Sequence, residues 1–90
     1  MSLSGKRIVI LGGTSGIGLA TARAAQREGA GIVIASSRKA RVDRALAALA
    51  DGAEGEVLDL SDEAQTRAFF PRIGAFDHLV CTAGETLHLE

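Results

Sequence analysis

The chemistry-bearing residues of this chain begin with a glycine-rich run, Gly12-Gly13-Thr14-Ser15-Gly16-Ile17-Gly18. Glycine accepts positive φ, and its missing Cβ lets the backbone approach a bound group closely. Set between a strand and a helix, such a turn presents backbone N–H groups and the positive helix end to an anion such as a pyrophosphate. The phosphate loop of nucleoside triphosphatases needs Gly-Lys-Ser/Thr at its end, and this run ends Gly16-Ile17-Gly18. The other reactive side chains are scattered. Cys81 is the single cysteine, so an internal disulfide is excluded, and with His78 and His88 it lacks metal-ligand spacing. At the end of an apolar strand, Cys81 is expected to be a buried small hydrophobe, and the two histidines partly exposed bystanders.

The elements that must position the glycine run are legible from periodicity. Ile8-Val9-Ile10-Leu11 suits a strand buried on both faces. Ile17, Ala20, Thr21, Ala24 and Glu28 fall at helical spacing with small residues on the packing face, and Gly29 is the expected stop. A second strand covers Ile32 to Ala35. Ser36 or Ser37 then caps a second helix with an apolar stripe of Val42, Leu46 and Leu49, ended by Gly52. A third strand is expected at about Glu56 to Leu58. Asp59-Leu60 leads to Ser61 as the N-cap of a third helix, with Asp62 and Glu63 in its first turn and an end or kink near Pro71. A fourth strand spans Asp77 to Thr82. The resulting β-α-β-α-β-α-β order predicts an α/β domain with a parallel Rossmann-type sheet, strand order 3-2-1-4, and helices on both faces.

Composition narrows the partners. Ninety residues make at most one domain, and 10 basic against 11 acidic residues show no long run of one sign. No basic patch for nucleic acid, no apolar run of membrane-spanning length and no signal-peptide core is evident. A reduced, cytoplasmic protein without a structural metal is the expectation.

With these segments in order, the chain resembles the short-chain dehydrogenase/reductase family. The spacing Gly12-x-x-x-Gly16-x-Gly18 is similar to that family's coenzyme loop, Asp59-Leu60 to its acidic position after the third strand, and Cys81-Thr82-Ala83-Gly84 to its Asn-Asn-Ala-Gly segment. The chain departs from the family pattern at Leu11, where a threonine is frequent, and at Cys81 and Thr82. The resemblance covers essentially all of this chain but only about the first third of a family member. It implies that residues 1–90 are the dinucleotide-binding N-terminal part of a Rossmann domain. Gly12, Gly16 and Gly18 would shape the loop, and Thr14, Ser15 and Ile17 would supply contacts from it. Asp59 would accept from the adenine amino group while the Leu60 N–H reads the ring, and Ala83 and Gly84 would let the nicotinamide-side ribose approach.

The coenzyme is expected to be NADP, with NAD second. A site for NAD places a carboxylate about 20 residues past the loop. The second strand here runs instead into Ser36-Ser37-Arg38-Lys39. Ser37 can donate to a 2′-phosphate and Arg38 can grip it with two charged donors, whereas Lys39 is expected to be a bystander.

The family resemblance also implies a small-molecule alcohol or carbonyl substrate and a catalytic Tyr-x-x-x-Lys. The chain has no tyrosine, so its catalytic set is empty. A longer parent polypeptide is the simplest expectation, and a homo-oligomer a further one, because strand order 3-2-1-4 leaves an apolar fourth strand at an open edge where the isolated chain would dimerise or aggregate. Two rivals remain: a non-catalytic NADP sensor, distinguished by the absence of Tyr-x-x-x-Lys beyond Glu90, and an inactive scaffold, distinguished by failure to bind any dinucleotide.

Overall fold

A computed structural model describes residues 3–12, 16–49 and 52–81. Strands β1 (Arg7–Leu11), β2 (Gly31–Ser36), β3 (Glu54–Val57) and β4 (His78–Cys81) alternate with helices α1 (Gly16–Arg27), α2 (Lys39–Ala48) and α3 (Glu63–Ile73). All pairings are parallel and the order is β3-β2-β1-β4. The sheet is the one expected from the sequence.

The aliphatic runs of β1 and β2 build two cores at once, because successive strand residues point to opposite faces. Ile8, Ile10, Ile32 and Ile34 pack with Ala22 and Ala25 of α1, Ala45 of α2 and Leu49. Val9, Leu11, Val33 and Ala35 pack with Leu58 and with Phe69 and Ile73 of α3. Helices therefore cover both faces, α1 and α2 on one and α3 on the other. Each fully buried Ile or Val contributes about 1.5–3 kcal/mol by leaving water.

Close approach of α2 to β3 depends on Gly55. A Cβ there would lie 2.5 Å from Val42 Cγ1 and 2.8 Å from Leu46 Cδ1. At the amino end of the sheet, Arg7 ties three elements together. Its guanidinium donates to the Ile73 carbonyl and to the Ala75 carbonyl (3.0 Å) and pairs with Glu54 (3.1 Å). Its own N–H donates to Asp77 Oδ2 at 2.8 Å. This cluster sits opposite the strand ends that carry the site.

Several local expectations are corrected. The buried stripe of α1 is Gly18, Ala22 and Ala25, and Ile17, Ala20 and Ala24 face outward. The smallest side chains seat the helix on the bulky aliphatics of β1 and β2, so apolar character alone misplaced the stripe. Helix α2 is preceded by Arg38 rather than a serine cap, with no side-chain cap bond, and it ends at Ala48, ahead of Gly52. Strand β3 starts two residues earlier than expected, because its register pairs Val33 with Glu54.

The cap of α3 is Asp62, whose carboxylate accepts from the Gln65 N–H, and not Ser61. Helix α3 also continues through Pro71 to Ile73. Proline removes one N–H, but here only in the last turn, and both Arg67, whose carbonyl loses that partner, and Pro71 are exposed. Burial of Phe69 and Ile73 holds that turn on the sheet.

Strand β4 is shorter than expected at its start, since Asp77 bonds Arg7 through both its N–H and its carboxylate. Cys81 is exposed, not buried. Among the described residues it pairs with Leu11 on one side only, and β4 is the sheet edge. His78, as expected, is exposed.

Candidate functional site

The expected site residues that the structure describes gather at the carboxyl ends of the strands. Gly12 follows β1, Ser37 and Arg38 follow β2, and Asp59 and Leu60 follow β3 by way of buried Leu58. Thr14 and Ser15 in the loop, and Ala83 and Gly84 after β4, lie outside the described residues. The chain leaves β1 towards β2 and β3 and returns to β4 on the other side of β1. At such a reversal the connections part and open a crevice outside the strand ends, where parallel sheets hold ligands.

The loop flanks have the backbone that this geometry needs. The Gly12 N–H extends the β1–β2 ladder by donating to the Ala35 carbonyl at 2.8 Å. Gly12 then turns with φ +83°, and Gly16 opens α1 at φ +56°. A Cβ on Gly16 would meet open space, so glycine is required there for its backbone angle and not for room. Gly18 is buried in the α1 stripe. Ile17, by contrast, is 78% exposed in the first turn of α1. A large aliphatic is thus left open to solvent at the start of the helix that follows the glycine run.

The start of α2 is cationic. Ser37 and Arg38 are exposed, and the Arg38 carbonyl accepts from both Arg41 and Val42 N–H groups at 3.1 Å. The first turn has no acidic residue. Lys39 is paired with Asp43 at 2.8 Å, which fits its reading as a bystander. The side chains of Arg38 and Arg41 have no partner among the described residues. Cations at a helix N-terminus oppose the dipole and destabilise the end they occupy. An anion at this place would reverse that sign. Arg41 escaped the sequence reading, although its spacing of three from Arg38 puts it one turn on, on the same side.

The turn after β3 is a bonded unit. Asp59 Oδ1 accepts from the Ser61 N–H (2.9 Å) and from the Ser61 hydroxyl (2.6 Å). These two donors, the hydroxyl first, hold the Asp59 carboxyl below the ordinary carboxylate range. Asp59 is therefore not left free by a capping Ser61, as the sequence suggested. It is held by that serine while Asp62 caps the helix. Leu60 packs against the α3-side core, and its N–H has no partner among the described residues.

Away from the strand ends, a groove of about 570 Å³ runs between α1 and β4, lined by Ile8, Ala24, Ala25, Leu79 and Val80 among others. It is the uncovered flank of the edge strand and touches none of the site residues. Among the described residues no three His, Cys, Asp or Glu side chains gather as a metal site, and no helix is long and apolar enough to cross a membrane.

Comparison with known proteins agrees with this fold. The family described as short chain dehydrogenase matches residues 6–89. A short-chain dehydrogenase/reductase of Stachybotrys chlorohalonatus, ATR9, is 38% identical over 96 residues, covering 92% of this chain and 38% of that protein. A solved short-chain dehydrogenase/reductase family protein superposes with a TM-score of 0.89 at 36% identity, over 94% of this chain and 36% of its own. The 3-ketoacyl-(acyl-carrier-protein) reductase of Brucella melitensis, complexed with NADH, superposes at 0.75 with 33% identity, over 87% of this chain and 34% of its own. The chain thus spans little more than a third of the length of the relatives it matches.

Proposed function

Because this chain belongs to the short-chain dehydrogenase family, we propose that residues 1–90 form the NADP-binding N-terminal part of an oxidoreductase that interconverts an alcohol and a carbonyl. The observation that carries this reading is the start of α2, where Arg38 and Arg41 stand exposed and unpaired among the described residues, with no carboxylate in the first turn. Several groups at the strand ends have the chemistry a dinucleotide needs. The positive φ of Gly12 and Gly16 suits a pyrophosphate turn, Ser37 and Arg38 offer donors to a 2′-phosphate, and Asp59 with the Leu60 N–H offers an acceptor and a donor to adenine. An acid at the end of β2 would repel the phosphate, and none is there.

When bound, the nicotinamide would give the hydride to a carbonyl or take it from an alcohol. The described residues of this chain bind and orient the coenzyme. Ile17 gives it an apolar wall, and the α1 N-terminus faces its pyrophosphate. The tyrosine that the family resemblance implies for proton transfer is not among these 90 residues. Ala83 and Gly84 would admit the nicotinamide-side ribose beside β4. The open edge of β4 supports a homo-oligomeric or longer assembly, and the lone cysteine a reducing, cytoplasmic setting.

The test is a calorimetric titration of the chain with NADPH and, separately, with NADH. Tighter binding of NADPH supports the reading. Equal or tighter binding of NADH, the ligand of the Brucella reductase, refutes the NADP assignment while keeping the dinucleotide site. Binding of neither refutes the site in this chain.

A further inference from the structure

The turn after β3 holds a carboxylate in a defined way. Both donors of Ser61, the N–H at 2.9 Å and the hydroxyl at 2.6 Å, reach the same oxygen, Asp59 Oδ1. The Asp59 N–H donates to Gln65 Oε1 at 3.2 Å, and Gln65 Nε2 donates to Asp62 Oδ2 at 3.1 Å, so the helix cap braces the turn from behind. The Leu58 N–H donates to the Ser36 carbonyl at 2.8 Å, which ties the turn to the end of β2. Asp59 Oδ2 has no partner among the described residues. Because the turn is exposed, these bonds add little to global stability. Their effect is on orientation: one oxygen is occupied twice and the other is left without a partner among the described residues.

We propose that Ser61 is a positioning residue that reserves Asp59 Oδ2 for the exocyclic amine of the adenine ring, so that the turn selects an amino purine over an oxo purine. This rests on the reading of Asp59 as the adenine contact. An amine donates to the free carboxylate oxygen. The oxo group of hypoxanthine would place an acceptor against it, and an ionised carboxylate has no proton to offer in return. Ser61 fixes the rotation of that carboxylate through its two bonds to Oδ1. Without the hydroxyl, the carboxylate keeps only the backbone N–H of residue 61 and regains freedom to turn.

The experiment titrates the chain calorimetrically with NADPH and with its hypoxanthine analogue, in the wild type and in the Ser61→Ala, Ser61→Thr and Asp59→Ala variants. The Asp59 carboxyl is followed in parallel by NMR through its acid titration. A hydrogen bond to a charged group predicts a wild-type preference for the adenine form of about tenfold or more. Ser61→Ala is expected to shrink that preference several-fold, by weakening the adenine form, and to raise the Asp59 titration midpoint. Ser61→Thr, which keeps the hydroxyl, restores both. Asp59→Ala abolishes the preference. An unchanged preference in Ser61→Ala, with Asp59→Ala still abolishing it, would overturn the role of Ser61 alone. A preference that survives Asp59→Ala, or no binding of either dinucleotide, would overturn the adenine contact and the proposal with it.

Discussion

Arg38 occupies the position before α2 where a side chain normally accepts from the first-turn N–H groups, and it makes no such bond. Arginine has only donors, so it cannot cap. Replacing it separates helix stability from ligand binding. Arg38→Ala removes no cap bond and no ion pair among the described residues, so the unfolding free energy should stay within about 0.5 kcal/mol of wild type, as for other surface changes. Binding of NADPH should fall about ten- to hundredfold, the worth of roughly 1.5–3 kcal/mol for a charge-assisted contact to the 2′-phosphate. NADH should be unaffected.

Arg38→Asp goes further. The new carboxylate can accept from the first-turn N–H groups and complements the dipole, a gain of about 1 kcal/mol. In a domain of this size that raises the melting temperature by about 4–8 °C. The same carboxylate would repel the 2′-phosphate, so NADPH binding falls below that of the alanine variant and preference moves to NADH. Calorimetry and thermal unfolding on the three proteins test both halves. Equal losses for NADPH and NADH would refute the phosphate contact, and a lower melting temperature for Arg38→Asp would refute the view that this helix start gives up stability for an anion site.

Three further outcomes are expected. Gly55→Ala should cost about 1–3 kcal/mol by overpacking against Val42 and Leu46, read by denaturant unfolding; a neutral result would mean that α2 lifts freely off β3. The fold holds the Asp59 carboxyl below the ordinary range, so its contribution is complete above the unfolded value of about 3.9 and is lost as pH falls through the lower folded value. An NMR midpoint at or above the ordinary aspartate value would contradict the Ser61 bonds. Leu79 on the open edge is 46% exposed, and Leu79→Lys should reduce self-association of the chain in light scattering, since a charge on an edge strand opposes pairing; a monodisperse wild-type monomer would remove the premise.

The order of elements, the parallel sheet and the cluster of the site at strand ends follow from the sequence alone. Aliphatic runs such as Ile8–Leu11 and Ile32–Ala35 suit burial on both faces, and short connections through helices leave few sheet orders for them, the Rossmann order 3-2-1-4 among these. The positions of Gly12, Arg38 and Asp59 at those ends follow in turn, because each comes within two residues of a strand end. Four features were decided only by tertiary structure. Gly18, Ala22 and Ala25 form the α1 seat because small side chains fit over a bulky sheet, a matter of volume rather than polarity. Pro71 stays in α3 because Phe69 and Ile73 are buried around it. Cys81 is exposed because burial depends on what covers a strand, and among the described residues β4 has a neighbour on one side only. Ser61 binds Asp59 while Asp62 caps the helix because neighbouring polar side chains compete for the same N–H groups, and three-dimensional geometry, not residue type, chooses between them.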